Sequence, residues 1–226
     1  FSMNRVNVSN FARGGSIYIA GDDSKVFNTT FELCRAYVGG VLYLEGDNGI
    51  IDGSTFRQSS ALFNGGAVYV AGNNANIDGT TFFKCSTINM NGGAVYVAGL
   101  NTTISNSNFT QNSANGTNAR GGSIDISGND TKILRSNFYQ CIAFEGGVIY
   151  INGENAVIDN SIFTQSHART NGGAIYVDES TNKTTLISTS ENLTFERNSA
   201  IDGGAFYINK DNILAKTIHF VLAFLV

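Results

Sequence analysis

A pair of adjacent glycines recurs along the whole chain, and this repeat restricts the fold more than any other feature of the sequence. Successive pairs are separated by 25 to 31 residues. They lie at positions 14–15, 39–40, 65–66, 92–93, 121–122, 146–147, 172–173 and 203–204. The nonapeptide NGGAVYVAG even occurs twice without change, at 64–72 and at 91–99. A period of this length indicates a protein built from stacked repeats.

Each repeat predicts strands and tight turns. The glycine pair is followed by an alternating segment such as AVYV or SIYI, rich in β-branched residues, as is typical of β-strands. A phenylalanine follows the first glycine at a distance of 17 residues in almost every repeat. Between the alternating segment and the phenylalanine, a single glycine and two polar residues indicate a turn. We expect the glycine to adopt a positive φ and Asn or Asp to bond its own backbone. Each repeat therefore contains two or three short strands.

A repeat of about 25 residues cannot bury its apolar side alone, so the repeats must stack, with each strand pairing in parallel about 4.8 Å from its counterpart. We predict an all-β fold, a right-handed single-stranded parallel β-helix (a pectate-lyase-like solenoid) of about eight coils. The single solenoid spans 1–226, with a partial coil at 1–13, seven coils at 14–202 and an atypical apolar terminal coil at 203–226. We interpret it as a fragment of, or a subunit within, a longer assembly. A β-propeller is the alternative, but its blades of roughly 40–50 residues are too long.

Equivalent residues of successive coils should form ladders. Val68 and Val70 are predicted to stack on Val95 and Val97 inside the coil. The same inward ladders contain Ile17, Ile19, Leu42, Leu44, Ile124, Ile126, Ile149 and Ile151. A further inward ladder contains Phe56, Phe82 and Phe109.

Seven tyrosines share one register and form a candidate aromatic stripe, which Asp125 interrupts. They are Tyr18, Tyr43, Tyr69, Tyr96, Tyr150, Tyr176 and Tyr207. Because side chains alternate along a strand, these residues should face outward. Such a stripe could stack on sugar rings or anchor a protein partner. Alternatively, stacking between neighbouring rungs only stabilises the outer face of the sheet.

Three cysteines, Cys34, Cys85 and Cys141, each follow the phenylalanine by three residues. They fall in alternate coils, so they should lie about 9–10 Å apart along the axis. A disulfide requires Cα atoms within about 7 Å. We therefore predict buried free thiols, and no metal site is predicted for them.

Two insertions at one corner of the repeat, 115–119 and 178–191, are predicted contact sites, because such loops commonly form the binding face of a stacked array. The candidate binding residues are Asn115, Gly116, Thr117, Asn118, Asp178, Glu179, Asn182 and Lys183. Asn115 and Asn182 also begin N-x-[ST] sequons and are candidates for N-glycosylation. The alternative is that both insertions are solvated segments without a role.

Asp52 and Asp78 occupy equal positions in adjacent coils, and Asp159 recurs three coils later. Glycosidase chemistry requires two carboxyl groups about 5–9.5 Å apart in distinct environments. Both aspartates lie in the same IDG setting, so nothing in the sequence separates their pKa values. A Ca²⁺ site that includes Asp47 is a further alternative. We predict no catalytic residue, no metal site and no cofactor.

Short motifs connect the repeat to a known family. GGAV, GGAI and GGAF alternate with FTQN at 109–112 and FERN at 195–198, and this pattern resembles the polymorphic membrane protein repeat, defined by GGA[ILV] and FxxN tetrapeptides. It is also similar to adhesin-like β-helix proteins of methanogenic archaea. The resemblance implies a β-helical stalk, export to the cell surface, and adhesion or envelope structure. The sequence departs from the family in two ways, since Ser or Val follows four glycine pairs and Cys or Ser often replaces the motif asparagine.

The expected function is therefore a non-enzymatic cell-surface or extracellular protein that acts as an adhesin or structural spacer through its corner loops. Its partner would be a host-cell, matrix or glycan surface, or other copies of itself. A net charge of −4 without a run of like charges argues against nucleic acid, and membrane association is expected only through segments outside this sequence. One alternative is a self-assembling fibre or envelope subunit that stacks through apolar end coils such as KTIHFVLAFLV at 216–226. The other is a carbohydrate-active enzyme of the polysaccharide lyase or hydrolase type.

Overall fold

The chain forms a parallel β-solenoid of about seven turns in a computed structural model. The structure describes residues 1–6, 11–178, 185–187, 193–209, 213–215 and 218–221. Across these ranges there are thirty strands and no helix. The predicted all-β parallel β-helix is confirmed, although the number of turns is slightly smaller than the predicted eight coils.

Four parallel sheets surround the core, so most coils contain four strands where the sequence predicts two or three. The first sheet has eight strands, Ile17–Ile19, Leu42–Leu44, Val68–Val70, Val95–Val97, Ile124–Ile126, Ile149–Ile151, Ile175–Val177 and Phe206–Ile208. The second has Lys25–Phe27, Ile50–Asp52, Asn76–Asp78, Thr103–Ser105, Lys132–Leu134, Val157–Asp159, Thr185–Ile187 and Ile213–Ala215. The third has Thr30–Glu32, Thr55–Arg57, Thr81–Phe83, Asn108–Thr110, Asn137–Tyr139, Ile162–Thr164, Leu193–Glu196 and Ile218–Val221. The fourth has six short strands, Arg35–Ala36, Ser60–Ala61, Ser86–Thr87, Ser113–Ala114, Ile142–Ala143 and His167–Ala168.

The predicted ladders form the core. Val68 pairs with Val95 and Val70 with Val97, and all four side chains are fully buried. The rings of Phe82 and Phe109 are stacked with centroids 4.7 Å apart, which is a favourable offset arrangement. The same phenylalanine ladder extends in both directions, through Phe31, Phe56, Phe138, Phe163 and Phe195. Regular stacking of like side chains therefore holds the coils together.

The corners differ from the prediction, because side chains link successive coils instead of closing local turns. The single glycines do not have a positive φ, but a Cβ on Gly99 would lie 1.8 Å from the carbonyl oxygen of Gly72. The positive φ belongs to the polar residue two positions later, 56° at Asn74 and 54° at Asn101. The Nδ2 of Asn101 donates to Oδ1 of Asn74 at 2.9 Å, and Asn74 donates in turn to Asn48. The glycine is thus required by close approach of the coils and the asparagine by a ladder of amides.

Another corner uses buried side chains to satisfy backbone donors of the neighbouring coil. The Cys85 N–H donates to Oδ1 of Asn112 at 2.9 Å, and Nδ2 of Asn112 donates to the carbonyl of Phe82. The Ser59 N–H in turn bonds to the Cys85 thiol. Asn, Ser and Cys are interchangeable at this position because each offers an acceptor to the preceding coil. The FxxN asparagine is therefore a structural residue.

The three cysteines are buried free thiols, as predicted. Burial is the main cause that raises the pKa of Cys85 to about 12. A thiol with such a pKa stays protonated at neutral pH and is a poor nucleophile. Cys85 therefore packs in the corner and accepts a hydrogen bond there.

Replacing Cys85 by alanine is expected to lower the free energy of unfolding by about 1–3 kcal/mol, because the buried Ser59 N–H loses its acceptor. Cys85→Ser should cost less, since the hydroxyl of Ser166 already accepts the Cys141 N–H in an equivalent corner, at 3.1 Å. Equilibrium urea unfolding followed by circular dichroism measures both. Equal destabilisation by the two substitutions would contradict the acceptor role.

A candidate binding groove

A line of polar side chains follows the corner between the third and fourth sheets. Each of the first seven strands of the third sheet is followed by a residue with positive φ, including Gln58, Gln111, Gln140 and Gln165. The chain then bends into the fourth sheet, where partners in register run along the axis. These partners are Arg35, Ser60, Ser86, Ser113, Ile142 and His167. We call the surface formed by these two files of residues the corner groove.

The larger cleft of the corner groove has a volume of about 540 Å³. Its wall is an amide ladder, in which Gln111 Nε2 donates to Gln140 Oε1 at 2.9 Å and Gln140 donates to Gln165 at 3.1 Å. These bonds hold the amide side chains in file along the axis. Ile142, which is 42% exposed, and the exposed His167 also line this cleft. The cleft therefore offers amide groups beside a small apolar surface.

A second cleft of about 350 Å³ lies towards the first coil and contains two arginines. Arg5 and Arg35 are partners in a parallel bridge, so their side chains start from adjacent rungs. The buried Nε of Arg35 has no hydrogen-bond partner among the described residues. Met3, Leu33 and Gln58 are among the other residues that line this cleft. Two positive charges therefore share a small space.

The charge of the corner groove is opposite to that of the chain. The sequence carries 14 Lys and Arg against 18 Asp and Glu. The described residues that line the two clefts include Arg5, Arg35 and Arg169 but no aspartate or glutamate. The described lining of the two clefts thus carries only positive charge in an acidic protein.

The predicted binding residues divide between this groove and other places. Exposed Asn115 lines the larger cleft, and its Nδ2 donates to the Thr87 carbonyl at 3.2 Å and to the Ser113 hydroxyl at 3.0 Å. Gly116 accepts a hydrogen bond from the Ala119 N–H in the same insertion, which also contains the exposed Thr117 and Asn118. Asp178 instead accepts a hydrogen bond from the Tyr150 hydroxyl on the first sheet. Glu179, Asn182, Lys183 and the second sequon lie outside the described residues.

The tyrosine ladder stacks as predicted, but its side chains are less exposed to solvent than expected. Tyr69 and Tyr96 have ring centroids 5.0 Å apart. Tyr43, Tyr150 and Tyr176 are buried, in contrast to the predicted outward stripe, and only Tyr18 is largely exposed, at 46%. These tyrosines do lie on the outer face of the sheet, where the preceding corner covers some of them.

Two arginines from that corner cover the rings. The guanidinium of Arg13 lies 4.9 Å from the centroid of Tyr43, and that of Arg120 lies 4.5 Å from the centroid of Tyr150. Burial raises the pKa of Tyr69 to about 12. Stacking that stabilises the sheet therefore explains most of the ladder, and a role of the tyrosines in binding stays a prediction.

The two candidate carboxylates have different environments. Asp52 and Asp78 are paired in register, as predicted. Asp78 accepts hydrogen bonds from the Ser105 hydroxyl at 2.5 Å and from the Asn106 amide at 2.6 Å. The Ser105 bond is the main cause that lowers the pKa of Asp78. This carboxylate is therefore held in its ionised form, which does not suit a proton donor.

Comparison of the chain with protein-family models, with curated proteins and with solved structures gives no match. The described ranges contain no group of three or more His, Cys, Asp or Glu side chains arranged to hold a metal ion. They also contain no helix long and apolar enough to cross a bilayer.

Proposed function

We propose that this protein is a non-enzymatic β-helical protein of the cell surface or extracellular space, which acts as an adhesin or structural spacer. Partner surfaces bind along the corner groove. The observation that carries the proposal is the line of polar side chains that crosses successive rungs there, with exposed Gln111 and half-buried Gln140 and Gln165 in file and exposed Asn115 beside them. The family resemblance of the repeat supports the same function.

The scaffold suits this role because it holds the groove residues at fixed spacing. Parallel pairing places successive rungs about 4.8 Å apart, so eight rungs give a rod on the order of 35 Å long. Buried side chains satisfy corner donors from coil to coil, as between Cys85 and Asn112. A preorganised surface loses little conformational entropy when a partner binds.

Removing the centre of the groove is expected to weaken attachment to cells or to immobilised extracellular matrix by about tenfold or more, since hot spots lie near the centre of an interface. The variant Gln140→Ala/Ile142→Ala removes an amide and an apolar contact without changing the charge. The matched control, Asn137→Ala/Ile162→Ala, also removes an exposed amide and an exposed isoleucine without changing the charge, from register partners on the third sheet that line neither cleft. Flow cytometry and a solid-phase assay measure attachment.

Attachment equal to that of the unmodified protein in the groove variant would contradict the proposed contact surface. An equal loss in the control variant would also contradict it, because the effect would then not be specific to the groove. Thermal unfolding of both variants verifies that the solenoid is intact.

The two alternatives stay predictions. Self-assembly would stack apolar end coils, through side chains such as that of the exposed Phe220. Polysaccharide cleavage would have to use Asp52 with Asp78, although the lowered pKa of Asp78 does not favour proton donation.

A further inference from the structure

We infer that the corner groove binds an extended acidic oligosaccharide, whose carboxylate or sulfate groups lie at the two basic clefts. The inference rests on the proposed function and names the class of ligand for the same surface.

The arginine pair is incomplete without an anion. Like charges opposite each other in a sheet are destabilising, and Arg5 and Arg35 are such a pair. A buried donor without a partner also costs free energy, and the Nε of Arg35 is one. A guanidinium group matches the two oxygens of a carboxylate or sulfate with parallel hydrogen bonds. An anion in this cleft would satisfy the buried donor and reduce the repulsion.

The second basic site lies at the other end of the groove. Arg169 and His167 line the larger cleft, together with the amide ladder. His167 belongs to the sixth strand of the fourth sheet and Arg35 to the first. Five steps between rungs correspond to about 24 Å. A ligand that contacts both sites must therefore be an extended chain with repeated negative charges.

The residues between the basic sites suit sugar rings. Ser60, Ser86 and Ser113 place one hydroxyl on each successive rung. The neighbouring glutamines add amide groups, which both donate and accept hydrogen bonds and so match sugar hydroxyls. Ile142 provides an exposed apolar contact for the C–H face of a ring. Lys84 is a further cation in the glutamine file, between the two basic sites. Neutral polar groups thus separate the charged ones, as hydroxyls separate acidic groups in an acidic polysaccharide.

A nucleic acid fits this surface less well. Sites for single strands use several aromatic side chains on which the bases stack, and the described residues lining the two clefts include His167 but no Phe, Tyr or Trp. The acidic oligosaccharide is therefore the ligand that the groove favours.

The inference is tested by fluorescence anisotropy with labelled oligouronates of two and ten residues and with a neutral oligosaccharide of ten residues. We expect the long acidic chain to bind at least about tenfold more tightly than either of the others, because only it places negative charges at both basic sites. Its affinity should fall with added salt. Arg35→Gln/Arg169→Gln should lose about tenfold or more in affinity. Lys132→Gln/Arg135→Gln, which removes the same charge from another face, should change it less than about twofold.

Equal affinity for the neutral and the acidic chain would overturn the inference, as would equal losses in the two double variants. Tighter binding of a single-stranded oligonucleotide of equal charge would overturn it too. If Arg35→Gln unfolds the protein, the substitution is made at the exposed Arg5 instead, and Arg5→Gln/Arg169→Gln is tested in the same way. If acidic oligosaccharides do not bind but Gln140→Ala/Ile142→Ala still loses cell attachment, the ligand class is wrong and the proposed function stands. If both results are negative, the proposed function is wrong as well.

Discussion

Replacing Gly93 by alanine is expected to lower the free energy of unfolding by more than about 4 kcal/mol. An added Cβ would lie 2.1 Å from the carbonyl oxygen of Gly122 and 2.6 Å from the carbonyl atoms of Ser113. All of these are backbone atoms, which cannot move aside as the end of a flexible side chain can. The coils would have to separate, and the hydrogen bond from the Gly93 N–H to the Gly121 carbonyl, 3.0 Å long, would be disturbed. Equilibrium urea unfolding measures the loss.

The chain contains a matched control for this substitution. Gly204 occupies the same register in the last rung that the structure describes, where the nearest atom to an added Cβ is the Asn198 carbonyl oxygen at 3.4 Å. Gly204→Ala should therefore change the free energy of unfolding by less than about 1 kcal/mol. If both substitutions shift the urea midpoint equally, close approach of the coils is not the reason for the second glycine.

The ladders could be predicted because the spacing of residues in the sequence determines their register. The interval from the first glycine to the phenylalanine is constant in almost every repeat, so Phe82 and Phe109 must coincide once the coils stack. Alternation then fixes which side faces inward, as for Val68 and Val95. Neither step requires knowledge of a distant contact.

The corner groove could not be predicted in the same way. It depends on a fourth strand in six of the coils, which has only two residues, too few for alternation to indicate a strand. Arg35 and His167 share a register, four residues after the phenylalanine, but that register alone does not show that the chain bends there. One signal was present, since glutamine follows the phenylalanine by two residues in four repeats, at Gln58, Gln111, Gln140 and Gln165.

The sequence does not predict the burial of the tyrosines, for a related reason. Alternation says only that Tyr43 and Tyr150 point away from the core. Whether that outer face is open depends on Arg13 and Arg120, which belong to the preceding corner and cover the rings. Such a contact depends on the path of the loop, and the repeat does not specify it.

Asp125 is expected to make the protein less stable at neutral pH than in mild acid. It replaces a tyrosine in the ladder, pairs with Tyr150 in register and is fully buried. Burial is the main cause that raises its pKa to about 7, and the nearby Asp178 also raises it. The hydrogen bond from the Ser127 hydroxyl, 3.0 Å long, and the charge of Arg120 lower it only in part. The carboxyl group is therefore held in an environment that favours its protonated form.

The direction of the pH dependence follows from proton binding. In the unfolded chain the pKa of Asp125 returns to its ordinary value of 3.8. Between pH 3.8 and about pH 7, the folded state binds more protons than the unfolded state, so the free energy of unfolding falls as the pH rises. Above about pH 7 both states are ionised and this contribution is constant. The total loss is about 4 kcal/mol, from roughly 1.4 kcal/mol per pH unit.

The variant Asp125→Asn isolates this effect because it has nearly the same shape and does not titrate. The other titratable groups are common to both proteins, so the difference between the proteins reports Asp125. Urea unfolding between pH 4 and pH 8 should show the variant gaining stability relative to the unmodified protein as the pH rises to about 7, and no further gain above it. A difference that is the same at pH 4 and pH 8 would mean that Asp125 is ionised in the folded protein throughout, stabilised by Arg120 more strongly than burial opposes it.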